Sequence, residues 1–186
     1  MSDQLDFIDT IEYPVSDPVS VEPPFQTIVI DPPWMESGGG QIQRGADRHY
    51  PLLKTPEIID VILSCPMWKP AENSRLYLWV TNNFLIDGLE VMKSLDFRYI
   101  TNLVWVKDRI GLGQYFRGQH ELVLFGVRGK TMGDTKPSTV IHAKRGKHSK
   151  KPTEFFNMVE SCSRPSRLEI FAREPRSGWA VWGNEI

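Results

Sequence analysis

The sequence predicts an α/β fold, with a mainly parallel sheet and an antiparallel segment toward the C-terminus. Three observations carry this. Short β-branched and aromatic runs recur along the 186 residues. The early runs alternate with stretches of helical periodicity, as in a sheet whose strands are joined by crossover helices. The later runs follow one another with little helix between them, which calls for antiparallel pairing.

Residues 1–24 carry six acids, no Lys or Arg, and Pro14, Pro18, Pro23 and Pro24. Proline withholds backbone donors, so this stretch reads as an extended N-terminal extension ahead of a single domain at 25–186. Gln26 to Ile30 is a buried strand that delivers Asp31 at its C-terminal end. Residues 35–54, with Gly38-Gly39-Gly40, read as a long loop. A helix follows from Pro56 to about Leu63, with Thr55 as N-cap and Pro56 at the first position. Leu76 to Val80 is a strand. Phe84 to Leu95 is a helix, its Leu85, Leu89, Met92 and Leu95 at helical spacing. Strands follow at Tyr99–Val106 and Glu121–Val127, with a short edge strand at Val140-Ile141. Thr153 to Cys162 has a helical pattern through Phe156, Met158 and Val159. Leu168–Ala172 and Trp179–Trp182 close the chain as strands.

The composition narrows the function classes. Hydrophobic residues make up 40% of the chain and charged residues 24%, enough for a core and a solvated surface. No apolar run approaches the roughly 20 residues of a spanning helix, and the acidic start lacks the layout of a signal peptide. The expectation is a cytoplasmic protein with no membrane partner. Cys65 and Cys162 form no metal-ligand spacing, and His49, His120, His142 and His148 are not paired at short range, so no metal is expected. The net charge of −1 conceals an asymmetry. Beyond residue 24 the chain holds 22 basic and 17 acidic residues, and 128–151 holds eight basic residues against Asp134 alone. That excess fits a phosphate backbone, although a solvated loop carries such charge equally well.

Asp31-Pro32-Pro33-Trp34 is the most informative sequence in the chain. Ligands of open α/β sheets sit beyond the carboxyl ends of the strands, where this tetrapeptide falls. Two prolines stiffen the turn and leave carbonyls as acceptors facing the cleft. Asp31 adds a carboxylate and Trp34 an aromatic plate. The set suits a planar aryl amine such as the exocyclic amine of adenine. Accepting one N–H at Asp31 and the other at the Pro32 carbonyl makes the nitrogen more tetrahedral and frees its lone pair. Stacking on Trp34, worth roughly 1–3 kcal/mol, offsets part of the few kcal/mol needed to unstack a base. A capped turn after a core strand is the alternative meaning of the same residues.

From this loop onward the chain resembles the MT-A70 family of adenine N6-methyltransferases. The likeness runs from about Thr27 to Glu185 as an ordered set of pieces. They are Ile30–Trp34, His49-Tyr50 with Leu53, Leu78–Asn82, Leu103–Lys107, Gly113–Glu121, Gly126–Gly129, His148–Pro152, Leu168–Arg173, and Trp179 with Gly183–Glu185. The resemblance implies a Rossmann-like, S-adenosylmethionine-dependent methyltransferase with the catalytic loop first and the ribose contacts last. Asp31, Pro32, Pro33 and Trp34 are its catalytic loop. The cofactor falls to Asp31, to Lys151 on the methionine carboxylate, to Arg173 near the ribose, and to Asn184 and Glu185 near the adenine. Glu174 stands where many members carry an amide or imidazole, and a carboxylate there suits ribose hydroxyls.

On the substrate side the resemblance implies Tyr50 in the target-adenine loop and Trp79 and Trp105 near the site, though strand aromatics serve a core equally well. Glu121 matches an acid near the catalytic centre that holds Arg117 or the loop. Lys144, Arg145 and Lys147 are the candidate phosphate contacts of the basic segment. The resulting expectation is a small DNA adenine N6-methyltransferase of prokaryotic or phage type, working as a homodimer. RNA as the substrate, a non-catalytic nucleic-acid-binding subunit, and methyl transfer to another planar amine are the other readings.

Overall fold

The computed structural model describes residues 21–35, 52–111, 113, 115–131, 135–146 and 150–183. β1 (Phe25–Ile30) sits near the middle of a seven-stranded sheet and has the apolar, β-branched sequence of a strand covered on both faces. The chain continues through α1 (Thr55–Ser64), β2 (Pro70–Val80), a short 3₁₀ turn (Asn82–Phe84), α2 (Leu85–Ser94), β3 (Arg98–Lys107), β4 (His120–Arg128), β5 (Val140–Ala143), α3 (Thr153–Cys162), β6 (Arg167–Ile170) and β7 (Ala180–Trp182). The strand order is β5-β3-β4-β2-β1-β6-β7.

Period-two alternation in the strands divides the core into two layers. Ile28, Ile30, Leu76, Leu78, Val80, Leu168 and Ile170 face α1 and α2, meeting Ile58, Ile62, Val91 and Met92. The alternate residues Val29, Tyr77, Trp79, Leu103, Trp105 and Val123 face α3, meeting Phe155, Phe156 and Val159. Asp31 continues the Val29 series, so the layer covered by α3 is the one in which its carboxylate finds partners.

The α/β class and the mainly parallel sheet are as expected, but the antiparallel part lies elsewhere. β4 is the antiparallel strand, inserted between β3 and β2. The C-terminal strands β6 and β7 run parallel to each other, and β6 runs parallel to β1. The reason is the length of the connections. β3 and β4 are joined by residues 108–119, whose described residues hold no helix, and β4 comes straight back alongside β3. The nine residues 171–179 also hold no helix, yet β6 and β7 are only four and three residues long. Nine residues reach up to about 30 Å, ample to return over so short a strand. Positive φ angles at Phe171 (61°) and Gly178 (77°) turn the chain at either end of this connection.

One cap also differs from expectation. Lys54, not Thr55, is the N-cap of α1, and its backbone N–H donates to Glu57 Oε2 at 2.7 Å. Thr55 instead donates through its hydroxyl to Asp87 Oδ1 at 2.6 Å, tying α1 to α2.

Candidate active site

Ile30 is in register with Leu78 of β2 and Ile170 of β6, so Asp31 leaves the sheet between two neighbouring strand ends. Its backbone N–H still donates to Ile170 O at 3.4 Å. The carboxylate lies in a row of alternating charge. Lys151 Nζ is 2.8 Å from Asp31 Oδ2 and 3.5 Å from Glu121 Oε2. Lys107 Nζ donates to Glu121 Oε1 at 2.5 Å, and Arg173 Nη2 stands 3.8 Å from Asp31 Oδ2. Two indoles line the row: Lys151 Nζ lies 5.0 Å from the Trp79 ring centroid and Lys107 Nζ 5.1 Å from that of Trp105. The two rings meet edge to face at 6.0 Å. Trp79 and Trp105 are buried core residues whose rings flank the row.

Burial works against the Lys151 ammonium, but Asp31 and Glu121 outweigh it and hold its pKa above the ordinary lysine value. Burial likewise raises the Glu121 carboxyl, yet Lys151 and Lys107 bring it below the ordinary glutamate value. Lys151 and Glu121 thus each favour the charged form of the other, in a partly buried site where the local dielectric strengthens their pairing.

The turn after Asp31 is pinned on both sides. Pro32 O accepts from Trp34 N–H and Pro33 O from Leu53 N–H, each at 2.9 Å, and Met35 N–H donates to Leu53 O at 3.2 Å. The expectation that both proline carbonyls stand free is therefore corrected: each spends one lone pair inside the loop and keeps one. Trp34 is corrected as well. It is not an open plate but 6% exposed, stacked on Phe84 at 5.3 Å, with its indole N–H donated to Trp79 O at 3.0 Å. An indole offers one N–H and a large apolar area, and here the core takes both.

Other expected residues fall around this centre. Glu121 holds Lys107 and Lys151 rather than Arg117, which is exposed and donates from Nε to Gly111 O at 3.1 Å. Glu174 does not join the row; it pairs with Lys150 at 2.8 Å and Arg176 at 3.7 Å. Lys144 and Arg145 are exposed beyond β5. Arg145 N–H donates to Asp108 Oδ1 at 3.0 Å, which fixes the basic segment beside the β3–β4 connection. Tyr50, Lys147, Asn184 and Glu185 lie outside the described residues.

Three residues were not anticipated. Lys107 enters the row because antiparallel pairing sets Trp105 opposite Glu121, a register that residue types alone do not reveal. Glu169 and Arg176 form a second buried charge pair, 3.7 Å apart, with the Arg176 guanidinium over the Phe156 ring. Burial pushes the Glu169 carboxyl up to about 7; Arg176 opposes this, while Asp31 and Glu174 add to it. A lone acid inside the apolar run Leu168–Phe171 was the available signal.

The chain is 28% identical over 184 residues to the type II methyltransferase M.MunI of Mycoplasma sp, covering 87% of this chain and 78% of that protein. It is 28% identical over 177 residues to a probable N(6)-adenosine-methyltransferase MT-A70-like protein of Oryza sativa subsp. japonica. Against the N(6)-adenosine-methyltransferase catalytic subunit METTL3 of Homo sapiens it is 27% identical over 184 residues. Those two matches cover 87% and 90% of this chain, but only 23% and 29% of the two relatives. The family model described as MT-A70 matches residues 25–185, from the first residue of β1 to beyond β7. With the Asp31 turn, its ion row and the sheet that carries them inside that span, the chain belongs to the MT-A70 family.

Proposed function

We propose that this chain transfers a methyl group from S-adenosylmethionine to the N6 amine of adenine in nucleic acid, with DNA as the polymer. One observation carries the reading: Asp31, at the carboxyl end of a central strand, is held in the Lys151–Glu121 row and followed by a pinned Pro-Pro turn.

The donor set fits the cofactor. S-adenosylmethionine bears a carboxylate, an ammonium and a sulfonium, and the row offers both Lys151 and Arg173 for the anion and Asp31 for a cation. When bound, the cofactor supplies an electrophilic methyl group. The protein's part is placement. The Asp31 carboxylate accepts one N6 proton in a hydrogen bond, and the remaining lone pair of Pro32 O accepts the other. Both directions are fixed before the substrate arrives, because the turn is bonded to Leu53 and the carboxylate to Lys151. Held by Lys151 and Arg173 through its carboxylate, the cofactor would offer that methyl group to the N6 lone pair that Asp31 and Pro32 O orient. The surplus proton, acidic once the nitrogen is alkylated, leaves through Asp31 to solvent. Trp34 is a positioning residue, since it holds the turn against Trp79 and Phe84 and has no open face for a base.

DNA is favoured by the type II methyltransferase, the relative named above of which this chain spans 78%. RNA is the second reading, supported by the N(6)-adenosine names of the others. Incubation with tritiated cofactor and unmethylated DNA or RNA, followed by nucleoside analysis, tests both. Label in N6-methyldeoxyadenosine is expected. Label in N6-methyladenosine alone would move the substrate to RNA, and label in 5-methylcytosine, or in no nucleoside, would overturn the reading.

A further inference from the structure

The connection between β3 and β4 rises from the active-site row, since Lys107 stands at one foot and Glu121 near the other. Its described residues are bonded across its two feet. Lys107 N–H donates to Gln119 O at 2.8 Å, Gly111 N–H to Gly118 O at 2.7 Å, and Gln119 Nε2 to Lys107 O at 3.1 Å. Its backbone passes so close to itself that a Cβ on Gly113 would collide with the Phe116 carbonyl oxygen. Tyr115 is 93% exposed and Phe116 91%, with Ile110 half-exposed beside them. Exposing two neighbouring aromatic rings so fully forfeits burial worth roughly 1.5–3 kcal/mol for a Phe-sized side chain, so a loop built to do it invites an occupant.

The surroundings say which. Arg109 and Arg117, before and after the rings in the same connection, are both exposed. The Arg145–Asp108 bond brings exposed Lys144 and Arg145 to the base of the same loop. Aromatic rings among cations match a strand that presents flat bases along a line of phosphates. They match a second copy of this chain poorly. The core of a protein–protein interface is depleted in charge, whereas these rings belong to a connection with exposed arginines and a neighbouring basic segment.

The geometry points to a base-stacking element: Tyr115 and Phe116 stack on nucleobases flanking the target adenine, while Arg109, Arg117, Lys144 and Arg145 hold the neighbouring phosphates. This rests on the nucleic-acid reading above. By occupying the stack beside the target, the rings would offset the loss of stacking when the adenine is drawn toward Asp31.

The test uses the full chain and short labelled DNA and RNA strands of mixed sequence, with binding followed by fluorescence anisotropy across a salt series. Tyr115→Ala/Phe116→Ala is expected to weaken binding at least about tenfold, as removal of two base–aromatic stacks should, with an unchanged salt slope. Arg109→Gln/Arg117→Gln is expected to reduce that slope by about 1.4 on single strands. Both rings are on the surface, so thermal melting of the double alanine variant should match the wild type. Wild-type affinity in that variant overturns the proposal. So does a wild-type dimer that the substitutions split without loss of affinity, which would assign the rings to a second copy. Tritium transfer by the wild type, run in parallel, separates the two levels. If the wild type methylates adenine and the alanine variant binds equally well, only the stacking role fails. If the wild type neither binds nor methylates any strand, the proposed function fails with it.

Discussion

Two connections leave the same end of the sheet, one with Trp34 and the other with Tyr115 and Phe116, and they treat these rings in opposite ways. The turn after β1 buries Trp34, consumes its N–H on Trp79 and bonds its own backbone to Leu53. The connection after β3 is bonded across its feet and leaves Tyr115 and Phe116 in solvent. An aromatic beside an active site is thus not by itself a ligand contact. Where its polar edge and both neighbours are engaged it is part of the frame, and its value is the rigidity it gives to Asp31.

The difference between the two connections is most exposed to test at Asp31. Asp31→Ala removes the fixed acceptor and is expected to lower kcat by about 10²–10⁴, with cofactor binding still measurable by calorimetry. A near-normal rate would show that the pinned turn is not where the chemistry occurs. Next in size is the contrast in stability. Trp34→Ala should cost about 3–5 kcal/mol in urea unfolding, as expected for removing a large buried ring. Tyr115→Ala should stay within about 0.5 kcal/mol, as surface changes do. Equal costs would erase the distinction between frame and display.

Smaller effects sharpen it further. Charge reversal at Lys144 and Arg145 should weaken nucleic-acid binding and flatten its dependence on log salt. On duplex DNA the slope should fall by about 0.9 for each phosphate no longer neutralised. An unchanged slope would place the basic segment away from the strand. The least effect is expected at Glu169. Its folded carboxyl titrates near 7, above its ordinary value of 4.5. The folded chain therefore binds the proton more tightly than the unfolded chain, and the wild type loses stability as pH rises from about 4.5 to 7. Glu169→Gln keeps the neutral form throughout. The variant should gain stability relative to the wild type between about pH 5 and pH 8, read as the difference in urea midpoints. No pH-dependent difference would mean that Arg176 keeps the carboxylate charged.

The sheet was largely legible in the sequence because β-branched runs and helical periodicity are local signals. Asp31 was legible for the same reason, as the first polar residue after the buried run Thr27–Ile30. The ion row was legible only in its members. Lys151 and Glu121 could be named, but their contact depends on β4 lying antiparallel between β3 and β2, which is a property of pairing. The fate of Trp34 was hidden for a related reason. Its partner Phe84 and its acceptor on Trp79 belong to β2 and the turn after it, and nothing near residue 34 encodes them. The ion pairs of Glu174 with Lys150 and Arg176 were hidden too, since a linear reading leaves those two cations uncommitted.

The parallel pairing of β1 with β6 sets Ile30 beside Ile170, and this has a consequence for how the protein is made. Asp31 leaves the ribosome well before Lys151, Arg173 and the strand that flanks it. Throughout that interval β1 has one unpaired edge and an apolar sequence, the form most prone to pairing with another chain. Long-range parallel pairing is also slow to form. The acid at the centre of the site is therefore completed only once β6 has been translated and docked, and any nascent or truncated product lacking β6 is both inactive and exposed to aggregation.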